Sequence, residues 1–387
     1  MSQMVQSSQR IDALDIIRGF AIFGIFFVNV PDMIGNGVTF TTSYTGADAL
    51  VRLLYDMFIQ TKFYTIFAFL FGLGFYLFMQ SAKRRELPVY RLFTRRLLLL
   101  LLIGIAHYVL LWQGDILHAY SLFGFLLLLF YKRSAKTILT WSITLLSLYA
   151  LLSVLLGLIA SYTAPSGDAI GLFPHMPDIR MRINHLFRNG LENLSLLVFE
   201  VLGLFLLGLY AGKKRWFEQL HLYQSAIKRL QWISAGLTML LFIPMIIYYV
   251  SHPVYNTLQN YGYTHLTGKT AAVFYVCTLL RLHSGLGSYH FRSLAAVGRM
   301  ALTNYLMQTI ITMGLLRLAA YNAATTPLWI GMIYVVVILI LQVFCSKLWL
   351  RFYKMGPIEW LWRAGTYGTF SSLRHKSSAH QHSARGK

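Results

Sequence analysis

The sequence has little charge and almost no cysteine. Of its 387 residues only 12% are Asp, Glu, Lys or Arg, about half of the ~25% that is usual in soluble globular domains. This composition excludes an ordinary soluble domain. The two cysteines, Cys277 and Cys345, both lie inside apolar segments. They are therefore expected to be buried free thiols and not part of a disulfide framework.

Acidic residues are scarce beside basic ones. The chain has 13 Asp and Glu against 34 Lys and Arg, a net charge of +21. The basic residues cluster in short loops between apolar runs, which is the positive-inside pattern of membrane proteins and not the pattern of a nucleic-acid surface. The predicted partner is the lipid bilayer, and no nucleic acid is expected. With the N-terminus inside, the loop charges place both termini in the cytoplasm.

The motifs of soluble catalysis and of metal binding are also missing. The sequence contains no P-loop, no HExxH, no CxxC pairs and no dinucleotide fingerprint. No metal and no prosthetic group is predicted. Three histidines in the C-terminal tail could bind a metal weakly, but the polar, low-complexity composition of the tail favours disorder.

Apolar runs dominate what is present, because 57% of the residues are hydrophobic. About 20 apolar residues in a helix cross ~30 Å of hydrocarbon. We therefore predict an all-α fold, a polytopic transmembrane helical bundle of about ten spans. These lie near residues 13–32, 57–79, 96–113, 115–132, 138–161, 193–212, 232–251, 269–286, 297–318 and 326–349.

The organisation along the chain follows from these runs. The bundle occupies residues 13–349, after a cytoplasmic N-terminus at 1–12, and it includes one long outer loop at 162–192. Residues 350–387 form an interfacial segment, GPIEWLWRAG, followed by a basic, disordered cytoplasmic tail.

Polar side chains inside the apolar runs are the candidates for function. Such groups are costly in hydrocarbon and usually face a protein interior or a water-filled cavity. They sort by depth into two groups. The inner group is Asp15, Arg18, Arg299 and Asn304, and the outer group is Asn29, Lys62, His107, Asp115 and Glu200.

The inner group has two interpretations. Asp15 and Arg18 are three residues apart on one helix face, so they can form a local ion pair. Arg18 and Arg299 could instead hold phosphates, because guanidinium groups match phosphate oxygens. Asn304 and Gln308 share a helix face, and hydrogen bonding between helices is the simpler interpretation for them.

The outer group centres on the stretch LWQGDILHAYSLFG, residues 111–124, which predicts a tight helical hairpin. Gly114 breaks the third helix, so Asp115 is placed where a carboxylate caps the fourth. Alternatively Asp115 works with His107, whose imidazole suits proton transfer near neutral pH. Lys62, at the end of a span, is expected to extend outward to the interface.

Five segments resemble the ordered motifs of the YeiB family, which are bacterial multi-pass membrane proteins classed as a domain of unknown function. They are LDIIRGFAIFGIFFVN (14–29), KFYTIFAFLFGLG (62–74), GDILHAYSLFG (114–124), GRMALTNYLMQT (298–309) and GPIEWLWR (356–363).

The YeiB family is in turn similar to transmembrane acyltransferases such as the lysosomal heparan-glucosaminide acetyltransferase. The shared element is Leu14-Asp15, Arg18-Gly19 and Asn29. The resemblance implies a protein of the cytoplasmic (inner) membrane that uses acyl-CoA as co-substrate and a small-molecule or glycan acceptor on the far side. In the glucosaminide enzyme the active histidine lies in the outer loop after the first span. Here that loop has no histidine, and His107 is the substitute.

Two functions are compatible with these residues. In an acyltransferase, the cofactor-binding residues would be Arg18, Arg299 and Asn304. His107 would act as general base with Asp115 or Glu200 orienting it, and Asn29 would donate to the oxyanion. In the alternative, a proton-coupled transporter of a small organic solute, His107, Asp115 and Glu200 would carry protons. A structural role without turnover is a third interpretation.

Overall fold

The computed structural model describes residues 2–35, 43–163, 178–188, 190–319 and 327–374. The helices in these ranges are α1 (Ser2–Met33), α2 (Gly46–Phe58), α3 (Lys62–Arg84), α4 (Val89–Leu110), α5 (Leu117–Phe130), α6 (Ala135–Thr163), α7 (Ile179–Arg188), α8 (Gly190–Lys213), α9 (Gln224–Ser251), α10 (Tyr261–Leu286), α11 (Arg292–Arg299), α12 (Ala301–Leu318), α13 (Leu328–Phe352) and α14 (Pro357–Tyr367). A short antiparallel pair, β1 (Ser43–Tyr44) and β2 (Tyr255–Asn256), joins Ser43 to Asn256 and Tyr44 to Tyr255.

The predicted all-α bundle is confirmed, and each predicted apolar run coincides with a helix. Seven stretches of the described chain contain helices that are long and apolar enough to cross a membrane. Of the helices predicted to span the membrane, α5, α10 and α12 fall outside that set, and α5 is apolar but shorter than the others. The buried face of α12 is rich in Thr, Asn and Gln, which lowers its hydropathy although it packs inside the bundle. The number of spans and their orientation stay predictions.

The segments outside the apolar runs contain further helices. Helix α7 lies within the predicted outer loop, α6 and α8 extend into that loop, and residues 164–177 and 189 are outside the described residues. The segment GPIEWLWRAG begins α14, which packs on α4, and the Trp362 indole N–H donates to the Arg96 backbone oxygen at 2.9 Å. Of the predicted tail, residues 375–387 lie outside the described residues.

Glycines set the closest helix contacts in the bundle. A Cβ atom at Gly208 on α8 would overlap the backbone oxygen of Phe69 on α3, and one at Gly72 would overlap the backbone oxygen of Phe205. The two helices therefore contact each other through their backbones at two places. Without a hydrophobic force between helices in lipid, this kind of close packing is what holds them together.

Helices α1 and α11 meet in the same way. A Cβ at Gly19 would overlap the backbone oxygen of Leu294, and a Cβ at Gly298 would overlap that of Asp15. The close approach brings Arg299, the next residue along α11, to the side chain of Asp15.

We expect Gly208→Ala to destabilise the protein, because the added methyl group meets backbone atoms that can move only with the whole helix. Overpacking of this kind costs about 1–3 kcal/mol. Thermal unfolding of the detergent-solubilised protein, followed by tryptophan fluorescence, measures the change. The control is Gly236→Ala on α9, where a Cβ would have no described atom within 4 Å. Equal melting temperatures for the two variants would contradict the packing argument.

Candidate functional site

The connection between α4 and α5 places Asp115 at the centre of a buried hydrogen-bond cluster. A Cβ at Gly104 would overlap the backbone nitrogen of His118, so the glycine lets the two helices converge here. The Asp115 side chain is 0% exposed. Its Oδ1 lies 2.9 Å from His107 Nδ1, and its Oδ2 lies 3.1 Å from His118 Nδ1.

Asp115 also caps α5, because its Oδ2 accepts a hydrogen bond of 3.1 Å from the His118 backbone N–H. The two interpretations of Asp115 made from the sequence, a helix cap and a partner of His107, therefore describe the same side chain. A third donor comes from α12, where the Tyr305 hydroxyl lies 3.3 Å from Oδ1. Three helices thus converge on one carboxylate.

The carboxylate fixes the tautomer of His107. An ionised carboxylate only accepts hydrogen bonds, so Nδ1 of His107 carries the proton and Nε2 carries the lone pair. Nε2 is buried and has no hydrogen-bond partner among the described residues. A histidine held through Nδ1 by a carboxylate, with Nε2 free, has the arrangement of a general base.

A cavity of about 400 Å³ leads from one end of the bundle to Tyr305, which contacts Asp115; His107 and Asp115 do not themselves line the cavity. Its buried end is lined by Leu117, Tyr120 and Tyr305. The ring centroid of Tyr305 is 5.3 Å from that of His107. The wall between the two ends is apolar and is lined by Ile25, Phe67, Leu70, Phe71, Phe75, Phe93, Leu97 and Leu100.

The other end of the cavity is charged and partly exposed. Its ionisable lining residues are Arg18, Arg96, Arg299, Lys354, Asp15 and Glu359. Asp15 Oδ1 accepts from Arg18 Nη1 at 2.9 Å, and Asp15 Oδ2 lies 4.0 Å from Arg299 Nε. Four cationic and two acidic side chains leave this mouth positive.

Glu359 is held at the mouth by hydrogen bonds. Its carboxylate accepts hydrogen bonds from the backbone N–H groups of Leu302 at 2.7 Å and Thr303 at 3.0 Å, so it caps the start of α12. Burial raises the pKa of Glu359 above its usual value of 4.5. The cationic side chains at the mouth can therefore bind an anion.

Glu200 belongs to a separate buried cluster. Its carboxylate accepts from the Tyr64 hydroxyl at 2.8 Å and pairs with Lys269 of α10. Close by, the Tyr149 hydroxyl lies 2.6 Å from Nδ1 of His265. No described hydrogen bond joins Glu200 to His107, so of the two carboxylates proposed to orient the histidine, Asp115 is the one in contact.

The remaining predicted residues lie apart from the His107 cluster. Asn29 is half-buried on α1, and none of the described hydrogen bonds joins it to His107 or Asp115. Asn304 donates to the Val297 backbone oxygen and to the Ser346 hydroxyl, each at 3.1 Å. It therefore holds α12 to α11 and α13, and it does not line the cavity.

Lys62 corrects an expectation made from the sequence. It does not extend outward but is 0% exposed. Its Nζ donates to the Asp56 backbone oxygen at 2.6 Å and to the Thr267 hydroxyl at 2.9 Å. The expectation was wrong because α2, which precedes Lys62 in the chain, and α10 cover the end of α3.

Metal ligands are not gathered in the described part of the chain, where no group of three or more His, Cys, Asp and Glu side chains could hold a metal ion.

Comparison with known proteins places the chain among uncharacterized bacterial proteins. It is 32% identical to the uncharacterized protein YxaH of Bacillus subtilis (strain 168), over 97% of this chain and 98% of that protein. It is 27% identical to the uncharacterized protein YeiB of Escherichia coli (strain K12), over 90% of this chain and 94% of that one. The family described as "Protein of unknown function (DUF418)" matches residues 211–369. The chain belongs to the YeiB family.

The chain is also 30% identical to an uncharacterized 39.9 kDa protein in the amylase 3′ region of Bacillus acidopullulyticus, over 93% of this chain and 94% of that protein. No solved structure matches the chain. The DUF418 region carries Arg299, Tyr305 and Glu359, whereas His107 and Asp115 lie before it.

The Glu200–Lys269 pair gives a testable prediction. Removing one partner of a buried ion pair leaves the other charge uncompensated and costs about 3–5 kcal/mol. We expect Glu200→Gln and Lys269→Met each to lower the melting temperature by several degrees, and the double variant to recover much of the loss. Additive losses in this double-mutant cycle would mean that the two side chains do not stabilise each other.

Proposed function

We propose that this YeiB-family protein is an acyltransferase of the bacterial cytoplasmic membrane. It would take an acyl group from acyl-CoA on the cytoplasmic side and transfer it to an acceptor at the outer face. The observation that carries the proposal is one cavity that runs from a cationic mouth to Tyr305, whose hydroxyl contacts the Asp115 of the His107–Asp115 cluster.

The cationic mouth and the apolar wall of the cavity match the phosphate-bearing part and the acyl-bearing part of acyl-CoA. Arg18, Arg96 and Arg299 at the mouth suit phosphate groups, because guanidinium groups form charge-assisted hydrogen bonds with phosphate oxygens. The apolar wall suits an acyl chain and the slender arm that carries it. Helix α4 runs from the mouth towards His107. Arg96 lies at the mouth, and Leu100, in the apolar wall, lies four residues and about 6 Å further along the same helix.

His107 would act next to Tyr305, just beyond the buried end of the cavity. Its Nε2 lone pair would take the proton from the acceptor hydroxyl or amine as that group attacks the thioester carbonyl. The carbon–sulfur bond then breaks, and His107 returns the proton to the leaving thiolate, so that no net proton is consumed. Asp115 holds the ring through Nδ1. Asn29, the donor expected for the oxyanion, does not line the cavity, and Tyr305, which does, directs its one hydroxyl proton at Asp115 Oδ1.

A proton-coupled transporter is the second candidate, and the buried Glu200 cluster is the observation that favours it. A carboxylate, an ammonium and an imidazole lie together there on α8 and α10, and ionisable clusters inside helical bundles often carry protons. Uptake of solute into proteoliposomes under a pH gradient, lost in Glu200→Gln, would support it.

Binding and turnover of acyl-CoA by the purified protein in nanodiscs test the main proposal. We expect Arg18→Ala and Arg299→Ala each to weaken binding by about tenfold, as the loss of a charge-assisted hydrogen bond predicts. His107→Gln should keep binding but slow the release of free CoA thiol by about 10²-fold or more. Calorimetry and a thiol-reactive dye give the two readouts.

The control is Arg91→Ala on α4, an exposed arginine that does not line the cavity. It should change neither readout. Thiol release that continues at full rate in His107→Gln would overturn the role of His107, and a wild-type protein that binds no acyl-CoA would overturn the acyltransferase itself.

A further inference from the structure

A second cavity lies beside the mouth of the first. It has a volume of about 340 Å³ and is lined by the C-terminal end of α3 and by the turn that follows α8. Leu77 lines both cavities. A ligand that fills the first cavity and extends out of its mouth therefore passes next to the second.

The second cavity is cationic. Its charged lining residues are Arg84, Arg85, Arg215 and Glu218. Glu218 lies 3.9 Å from Arg215 Nε, and no described ion pair includes Arg84 or Arg85. With three guanidinium groups and one carboxylate in its lining, the small cavity keeps a net positive charge and is an environment for an anion.

The backbone keeps Arg215 at this cavity. Its φ is +55°, a left-handed conformation that is costly for a residue with a side chain. The turn is closed by hydrogen bonds from the Arg215 N–H to the Gly212 oxygen at 2.9 Å and from the Trp216 N–H to the Ala211 oxygen at 3.2 Å. The turn brings a third arginine to the end of α3.

We propose that the second cavity is a subsite for a phosphate group, and that this phosphate is the one on the ribose of the CoA whose thioester arm occupies the first cavity. The inference rests on the acyltransferase proposed above. CoA carries its phosphates in two places, a diphosphate and a separate ribose 3′-phosphate. The two neighbouring cationic sites match these two places. The diphosphate would lie at the mouth of the first cavity, beside Arg18, Arg96 and Arg299. The ribose 3′-phosphate would lie in the second cavity, beside Arg84, Arg85 and Arg215.

The basic residues of the inner loops could also serve only to attract anionic lipid, and that role would not need a cavity. Lys83 makes the distinction testable. It is exposed, precedes Arg84 directly and lines neither cavity. A charge that acts only through the surface potential can be supplied equally by Lys83, whereas a phosphate subsite needs the arginines that line it.

The experiment compares CoA with 3′-dephospho-CoA. Both are titrated into the full-length protein in nanodiscs of phosphatidylcholine alone, and affinities are measured by calorimetry. The wild type and Lys83→Ala should bind CoA about tenfold more tightly than the dephosphorylated form. The double variant Arg84→Ala/Arg85→Ala should bind the two forms equally, with its affinity for dephospho-CoA unchanged. Because both arginines are exposed, the double variant is expected to fold.

The other possible results each overturn one of the proposals. If the wild type binds both forms with equal affinity, the subsite is wrong while the acyltransferase stands. If it binds neither form, both proposals fall. A parallel series adds phosphatidylglycerol and follows thermal unfolding. Loss of the lipid's stabilising effect in Arg84→Ala/Arg85→Ala, with the preference for CoA retained, would assign the cavity to a lipid headgroup and overturn the nucleotide assignment.

Discussion

A carboxylate buried in an apolar bundle must be surrounded by hydrogen-bond donors, because an ion without partners costs several kcal/mol there. Asp115 meets this requirement with donors from three helices, namely His107 on α4, His118 on α5 and Tyr305 on α12. Satisfying Asp115 therefore fixes the α4–α5 hairpin against α12. The same contacts place Tyr305 at the end of the cavity and next to the histidine.

The opposite end of the cavity depends on contacts between backbones. Glycines on α1 and α11 allow those helices to touch, which sets Asp15 between Arg18 and Arg299. Asp15 is thus shared by two guanidinium groups and cannot neutralise both. The excess positive charge at the mouth is a consequence of how closely α1 and α11 pack, and the apolar wall separates it from the buried carboxylate of Asp115.

Local pattern was enough to predict the helices and the break between α4 and α5 at Gly114 and Asp115, because apolar runs and a Gly-Asp break are features of neighbouring residues. Contacts between distant helices were not predictable in this way. Glu200 has no basic neighbour within a turn, and its partner Lys269 comes from α10. Tyr305 and Arg96 join the site for the same reason. His118, only three residues after Asp115, could have been found from helical spacing alone.

The cluster at Asp115 has a charge balance of its own. With the carboxylate ionised and both imidazoles neutral it carries one negative charge, and a single added proton on either ring makes it neutral. A second proton would leave a net positive charge in the same buried space, where nothing among its contacts compensates for it. One carboxylate therefore compensates the positive charge of at most one of the two rings at a time.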